Sequence, residues 1–132
     1  MTDLIREELQ SGISSLSLNC NEEMLSSLLA YINILKKWNS AYNLLGGSEL
    51  DSLVSRHILD SLSIDPYLEG NLIADIGAGA GLPGIPLAIL NPGKKFVLID
   101  SNGKKTRFMF QAKIQLGLDN IAIENSRIEH YQ

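Results

Sequence analysis

Between Leu72 and Leu90 the chain reads LIADIGAGAGLPGIPLAIL. Leu72 to Ile76 is a short apolar run carrying one carboxylate, Asp75, and reads as a buried strand. Gly77, Gly79, Gly81 and Gly84 then fall within eight residues, and Pro83 to Leu90 resumes an apolar pattern suited to a helix. A strand that breaks into glycines and re-forms as a helix is the arrangement by which an α/β sheet holds a nucleotide-like ligand. The glycines allow a tight turn and close approach of the backbone, and free N–H groups are expected to face the ligand at the helix start. Pro83 suits the first helical turn, where a missing N–H removes nothing.

The remaining elements follow from periodicity. Thr2 or Asp3 can cap a first helix with Leu4, Ile5, Leu9 and Ile13 on one side, which Gly12 and the serine-rich SGISSLSLNCN are expected to break. Asn21 is a cap for a longer helix, with Glu22 and Glu23 at its positive end. Met24, Leu25, Leu28, Leu29, Ile32, Leu35 and Trp38 keep one face apolar to about Ala41. Gly46-Gly47 interrupts, Ser48 with Asp51 resembles a capping box, and a third helix places Leu50, Leu53, Val54, His57, Ile58, Ser61 and Leu62 on one stripe. Asp65-Pro66 ends it.

From Asn71 the period changes. Lys95–Asp100 (KFVLID) is a second strand, Ser101 or Asn102 caps a helix over Lys104–Leu116 that Gly117 terminates, and Asn120–Glu124 is a third strand. Strands alternating with helices predict parallel βαβ units. The expected fold class is therefore α/β, with a helical extension over residues 1–70 and the first half of a nucleotide-binding α/β core over 71–132. A doubly wound sheet has five or more strands, so three strands before Gln132 predict an incomplete sheet: the other half is not included in this sequence, or another chain supplies it, or the sheet edge stays open and prone to association.

Composition bounds the function. Hydrophobic residues make up 45% of the 132, and no run of eighteen apolar residues predicts a membrane span. One cysteine, Cys20, excludes an internal disulfide and a cysteine-cluster metal site, and suits a reducing cytoplasm; no metal is expected. The net charge of −4 argues against a generally basic nucleic-acid binder. Lys94, Lys95, Lys104, Lys105, Arg107 and Lys113 form the one basic concentration, readable as phosphate contacts or as a solvated helix face.

The glycines support two enzyme readings. Gly79-Ala80-Gly81-Leu82-Pro83-Gly84 satisfies G-x-G-x-x-G, with Asp100 about twenty residues on, where a ribose-binding acid of a nicotinamide-dependent oxidoreductase is expected. The same residues read as Asp75-x-Gly77-x-Gly79-x-Gly81, the strand-end acid and glycine run of S-adenosylmethionine enzymes. In either case Asp100, at the carboxyl end of strand two, is placed to accept hydrogen bonds from vicinal ribose hydroxyls, a role compatible with capping the next helix. A non-catalytic nucleotide-binding or protein-interaction domain is a third reading. His57, on an apolar stripe, is expected to be a hydrogen-bonded core residue, Arg56 and Asp60 an i,i+4 surface pair, and Trp38 a packing residue between helices.

A family resemblance narrows these alternatives. Trp38-Asn39, Asn43-Leu44, the run RHILDSL from Arg56 to Leu62, DIGAGAGLPGIPLA from Asp75 to Ala88, Asp100-Ser101 with Lys104–Phe108, and Ser126-Arg127-Ile128-Glu129 occur in one order. Together they resemble the bacterial small-subunit ribosomal RNA guanine-N7 methyltransferases, the glucose-inhibited division protein B family. The resemblance implies a Rossmann-like class I methyltransferase core behind the helical extension, truncated here after about three strands, with S-adenosyl-L-methionine as cofactor. Carried over by motif, Gly77, Gly79, Gly81 and Leu82 would line the cofactor, Asp100 would bind its ribose, and Ile128 and Glu129 would flank its adenine. Arg56, Lys104, Lys105 and Arg107 become candidate contacts to the implied substrate, ribosomal RNA or the small ribosomal subunit. The family's next segment, with a cofactor-contacting arginine, lies beyond Gln132, so this chain alone is expected to be inactive. Guanine N7 offers a lone pair and no proton, so no catalytic acid or base is assigned.

Overall fold

The computed structural model describes residues 2–42 and 50–127. Three helices lead, α1 (Thr2–Ser15), α2 (Glu22–Tyr42) and α3 (Leu50–Leu62), followed by a 3-10 turn at Asp65–Tyr67. The chain then alternates β1 (Leu72–Ile76), α4 (Gly84–Leu90), β2 (Lys95–Asp100), α5 (Gly103–Leu116) and β3 (Ile121–Asn125). All three strands are parallel in the order β1-β2-β3, with Asp75 opposite Leu98 and Asp100 opposite Asn125. The α/β class with a three-stranded parallel sheet is as expected, and β3 begins one residue later than the pattern suggested.

Local chemistry sets most element ends. The Asn21 side chain accepts from the Met24 N–H at 2.8 Å at the head of α2. Asn102 caps α5 by accepting from the Lys104 and Lys105 N–H groups, and Gly117 closes it in the left-handed region at φ +64°. Between β1 and β2, the Asn120 amide reaches back to the carbonyls of Ala88, Asn91 and Lys94, each at 3.0 Å. The Ala88 carbonyl also accepts from the Asn91 N–H and the Asn91 carbonyl from the Lys94 N–H, so the Asn120 amide adds a second donor at the end of α4 and the following turn.

The helices and the sheet share one apolar core. Leu28, Tyr31, Ile32 and Leu35 of α2, Ile58 and Leu62 of α3, Ile85 of α4, Phe96 and Leu98 of β2, and Phe108 and Met109 of α5 are all buried in a single cluster. Trp38 meets Phe108 edge to face with ring centroids 5.6 Å apart, the interhelical packing its position predicted.

Four expectations are corrected. Gly12 does not break α1, which runs on to Ser15 before Ser17 turns at φ +59°. Gly12 instead lets α1 approach α3, since a Cβ there would lie 2.5 Å from the Leu59 methyls. His57 is exposed, not in the core. The buried arc of α3 runs through Ser55, Ile58, Ser61 and Leu62, and a step of about 100° from Ile58 carries His57 just past its edge. Arg56 and Asp60 are also exposed, and among the described residues the salt bridge is Arg6–Glu22, not the i,i+4 pair. Finally, β1 is only half buried. Leu72 and Ile76 are 69% and 55% exposed because, among the described residues, no helix covers that face of the sheet. The Gly46-Gly47 break and the Ser48 capping box lie outside the described residues.

The close approach at Gly12 can be tested directly. Gly12→Val forces a branched side chain onto Leu59, and the overpacking cost is about 1–3 kcal/mol. Urea unfolding measures it; unchanged stability would show that α1 does not depend on this contact.

Candidate cofactor site

The carboxyl ends of β1 and β2 meet under the glycine loop. As soon as β1 ends, the Gly77 and Ala78 N–H groups both donate to the Ile99 carbonyl of β2, at 2.8 and 3.0 Å. Gly77, Gly79 and Gly81 lie at φ +73°, +57° and +88°, where side chains are strained. Ala78 and Ala80, between them, point inward and are buried. The Gly81 N–H closes onto the Ala78 carbonyl at 2.8 Å.

Two carboxylates hold this loop. Oδ2 of Asp100 accepts from the Gly79 N–H at 2.8 Å, and its Oδ1 accepts from the Asn102 N–H at 2.8 Å. Asp75, near the end of β1, turns its Oδ2 to the Gly84 N–H at 3.0 Å. Gly84 is the first residue of α4, so a protein carboxylate occupies the helix's leading N–H. The Ile85 N–H is taken by the Gly81 carbonyl, Pro86 has none, and the Leu87 N–H bonds Pro83. The expected free N–H groups at the helix start are therefore absent. Pro83 sits at the cap position, and the first turn of α4 offers no seat for a pyrophosphate.

The electrostatics point the same way. Burial raises the Asp75 carboxyl to about 6, opposed by the Gly84 N–H and reinforced by the charge of Asp100. Near neutral pH the two carboxylates make this edge of the sheet attractive to a cation and unfavourable to a phosphate. Behind Asp75, the fully buried Tyr31 of α2 donates its hydroxyl to the Ala80 carbonyl at 2.7 Å. Burial, then the Asp75 charge, holds that phenol well above its usual range.

Beside Asp100 opens a cleft of about 300 Å³, lined by Ile76, Gly77, Ile99, Asp100, Ser101, Ser126 and Arg127. It pairs an apolar floor with a carboxylate. The Ser126 hydroxyl oxygen is buried with no hydrogen-bond partner among the described residues, while its N–H donates to the Asp100 carbonyl at 3.1 Å. A buried orphan hydroxyl beside a ribose-type acid fits an adenosyl group, which supplies hydroxyls, ring nitrogens and an apolar face.

The sequence-expected residues divide accordingly. Gly77 and Asp100 line the cleft, and Gly79 joins it through its bond to Asp100. Gly81 and Leu82 do not line it; Gly81 faces Ile85, and Leu82 packs half-buried against the core. Ile128 and Glu129 lie outside the described residues. Lys104 and Arg107 are exposed and Lys105 half-buried on the first turns of α5, at the same end of the sheet as the cleft. Lys94 and Lys95 stand at the opposite end of β2, and the Lys113 ammonium donates to the Ile121 carbonyl at 2.6 Å, so the basic concentration is not one patch. Arg56 lines a groove between α1 and α3 with Glu7, Glu8 and Asp60. Tyr31 and Ser126 were missed. Tyr31 sits on the apolar stripe of α2, where spacing reads it as packing, and its partner is 49 residues away.

The family model described as GidB, rRNA small subunit methyltransferase G, matches residues 24–132. The chain belongs to this family. Among its relatives, the Ribosomal RNA small subunit methyltransferase G of Nitrosococcus oceani is 52% identical over 124 residues, 94% of this chain and 58% of the relative. The protein of the same name from Pseudomonas syringae pv. tomato is 50% identical over 126 residues, 96% of this chain and 60% of its own. That of Cellvibrio japonicus is 45% identical over 136 residues, 99% and 62%. The chain thus spans about three fifths of the length of the curated relatives it matches. Membership of the GidB family implies a methyl donor of the S-adenosylmethionine type, and the residues around the cleft fit one.

Two consequences of the Asp75–Gly84 contact are measurable. In Gly84→Ala the new methyl would lie 2.3 Å from Leu98 Cδ2 and 2.8 Å from Asp75 Oδ2, so the variant should lose about 1–3 kcal/mol in chemical unfolding; wild-type stability would contradict the close packing. The pH dependence has a defined sign. The folded-state pKa of Asp75 is raised above its ordinary 3.8 to about 6, so the folded state binds the proton more tightly. Stability from this group is full below about pH 4 and is lost as pH rises through about 6. Wild type should therefore lose stability relative to Asp75→Asn across that interval. A flat difference would show that Asp75 titrates normally.

Proposed function

We propose that this chain forms the adenosyl-binding part of an S-adenosylmethionine-dependent methyltransferase acting on guanine N7 of small-subunit ribosomal RNA. One observation carries the choice of cofactor: the Asp75 carboxylate fills the leading N–H of α4 while Asp100 faces an open cleft with a hydroxyl that has no partner among the described residues. A dinucleotide needs the helix N-terminus for its pyrophosphate. An adenosyl sulfonium needs no phosphate seat and is drawn to carboxylates. Family membership and the relatives' names support the RNA substrate.

When bound, the cofactor supplies an electrophilic methyl group on sulfur. The chain's residues position it. Asp100 retains lone pairs on both oxygens beyond those used by Gly79 and Asn102, enough to accept from two ribose hydroxyls. Ser126 offers its hydroxyl to the nucleoside, and Ile76 and Ile99 exclude water from the ring. Gly77, lacking a side chain at a positive φ, leaves room at the end of β1, where, among the described residues, nothing beyond its chain neighbours lies within 4 Å of a Cβ. Guanine N7 presents a lone pair, so the acceleration comes from alignment and needs no proton transfer. Lys104, Lys105 and Arg107, at the same sheet end, are the candidate contacts to RNA phosphates, and Arg56 is a second candidate on α3. The target base must come from a loop or be splayed out, because the deep groove of an RNA helix hides N7.

Calorimetric titration with S-adenosylhomocysteine and NAD, on wild type and Asp100→Asn, tests the cofactor. Micromolar binding of the sulfur ligand, no heat with NAD, and a loss of roughly tenfold or more in the variant are expected, the scale of charge-assisted hydrogen bonds. NAD binding with S-adenosylhomocysteine silent would overturn the reading.

A further inference from the structure

Helix α2 reaches the cofactor loop through the Tyr31 hydroxyl. Tyr31 is wholly buried in the middle of α2, and its hydroxyl donates to the Ala80 carbonyl at 2.7 Å. Its ring is fixed from the other side by Phe108 of α5, centroids 6.4 Å apart and planes tilted by 43°. The bonded carbonyl belongs to the peptide plane joining Ala80 to Gly81. Because that unit is planar, the Tyr31 bond at its oxygen and the Gly81 N–H bond to the Ala78 carbonyl at its other end lock one rigid plate. The plate needs an external anchor: Gly79 and Gly81 flank Ala80, and glycine accepts positive and negative φ almost equally. Without the tyrosine hydroxyl, rotation of this plane costs little backbone energy, and it would carry the Gly81 N–H off Ala78 and disturb the Gly79 N–H that Asp100 holds.

We infer that Tyr31 is a positioning residue for the cofactor: its hydroxyl fixes the Ala80–Gly81 peptide, and through Gly79 it fixes where the Asp100 carboxylate presents itself to the ribose. The helical segment is then part of the cofactor site and more than a platform for RNA. This rests on the S-adenosyl reading of the cleft, but the loop's rigidity can be measured without ligand.

The test compares Tyr31→Phe and Tyr31→Leu with wild type by amide hydrogen exchange and by calorimetric titration with S-adenosylhomocysteine. Tyr31→Phe should speed exchange at Gly79 and Gly81 about tenfold, the factor one lost hydrogen bond represents, while the Leu98 amide of β2 keeps its protection. Affinity for S-adenosylhomocysteine should fall by a similar factor, and Tyr31→Leu should be no more permissive for the ligand. Unchanged loop exchange and unchanged affinity in Tyr31→Phe would overturn the inference. So would a uniform loss of protection in which Leu98 suffers as much as Gly81, since Tyr31 would then be packing α2 alone. Faster loop exchange with no ligand bound by wild type would support the anchoring role and sink the cofactor reading instead.

Discussion

A helix that begins at a sheet edge has N–H groups to satisfy, and what satisfies them decides what the edge can bind. Here the Asp75 carboxylate takes the first of them at Gly84, and the Gly81 carbonyl and two prolines dispose of the rest of the turn. The contact is possible because Gly84 has no side chain to hold Leu98 and Asp75 away. Burial raises the Asp75 pKa to about 6 against the lowering effect of this hydrogen bond, and the contact ties the end of β1 to the start of α4. The glycine loop is consequently bridged at its far end, and its middle is held by Asp100 from below and Tyr31 from behind. The G-x-G-x-x-G spacing alone does not reveal this. The same spacing serves phosphate binders whose helix start is open.

The parts of the structure legible in the sequence are those governed by short-range chemistry. Asn21, Asn102 and Gly117 end helices through bonds to residues two to four positions away. The strands are legible because apolar runs between turn residues have few other uses. What failed depended on partners distant in sequence. Gly12 looks like a helix breaker until Leu59 is placed against it. His57 falls on an apolar stripe by counting, yet the stripe's true centre is set by which neighbours α3 meets. Lys113 reads as surface charge, although β3 brings the Ile121 carbonyl to it. The free helix start was inferred from a motif whose geometry is shared by two chemistries.

Of the candidate site, Asp100 and Gly77 were legible from spacing and resemblance, and both reach the cleft. Ser126 was overlooked since a serine after a strand is ordinary, and only its buried oxygen, without a partner among the described residues, singles it out. The sheet adds a constraint of its own. Leu72, Ala74 and Ile76 of β1 and Ala122 of β3 are exposed on one face, whereas parallel sheets ordinarily have both faces covered. The glycine loop is thus packed at the end of a sheet that, among the described residues, leaves these apolar side chains of one face exposed.

The ligand is expected to sit against Asp100 and Ser126, with the start of α4 closed to it. Backbone amide chemical-shift mapping tests it most directly, by titrating the chain with S-adenosylhomocysteine and, separately, with inorganic pyrophosphate. S-adenosylhomocysteine is expected to move the Gly77, Gly79, Asp100 and Ser126 amides and to leave Gly84 and Ile85 in place, with pyrophosphate moving none of them. Displacement of the Gly84 and Ile85 amides by pyrophosphate would contradict it, because the helix start would then be an anion site after all.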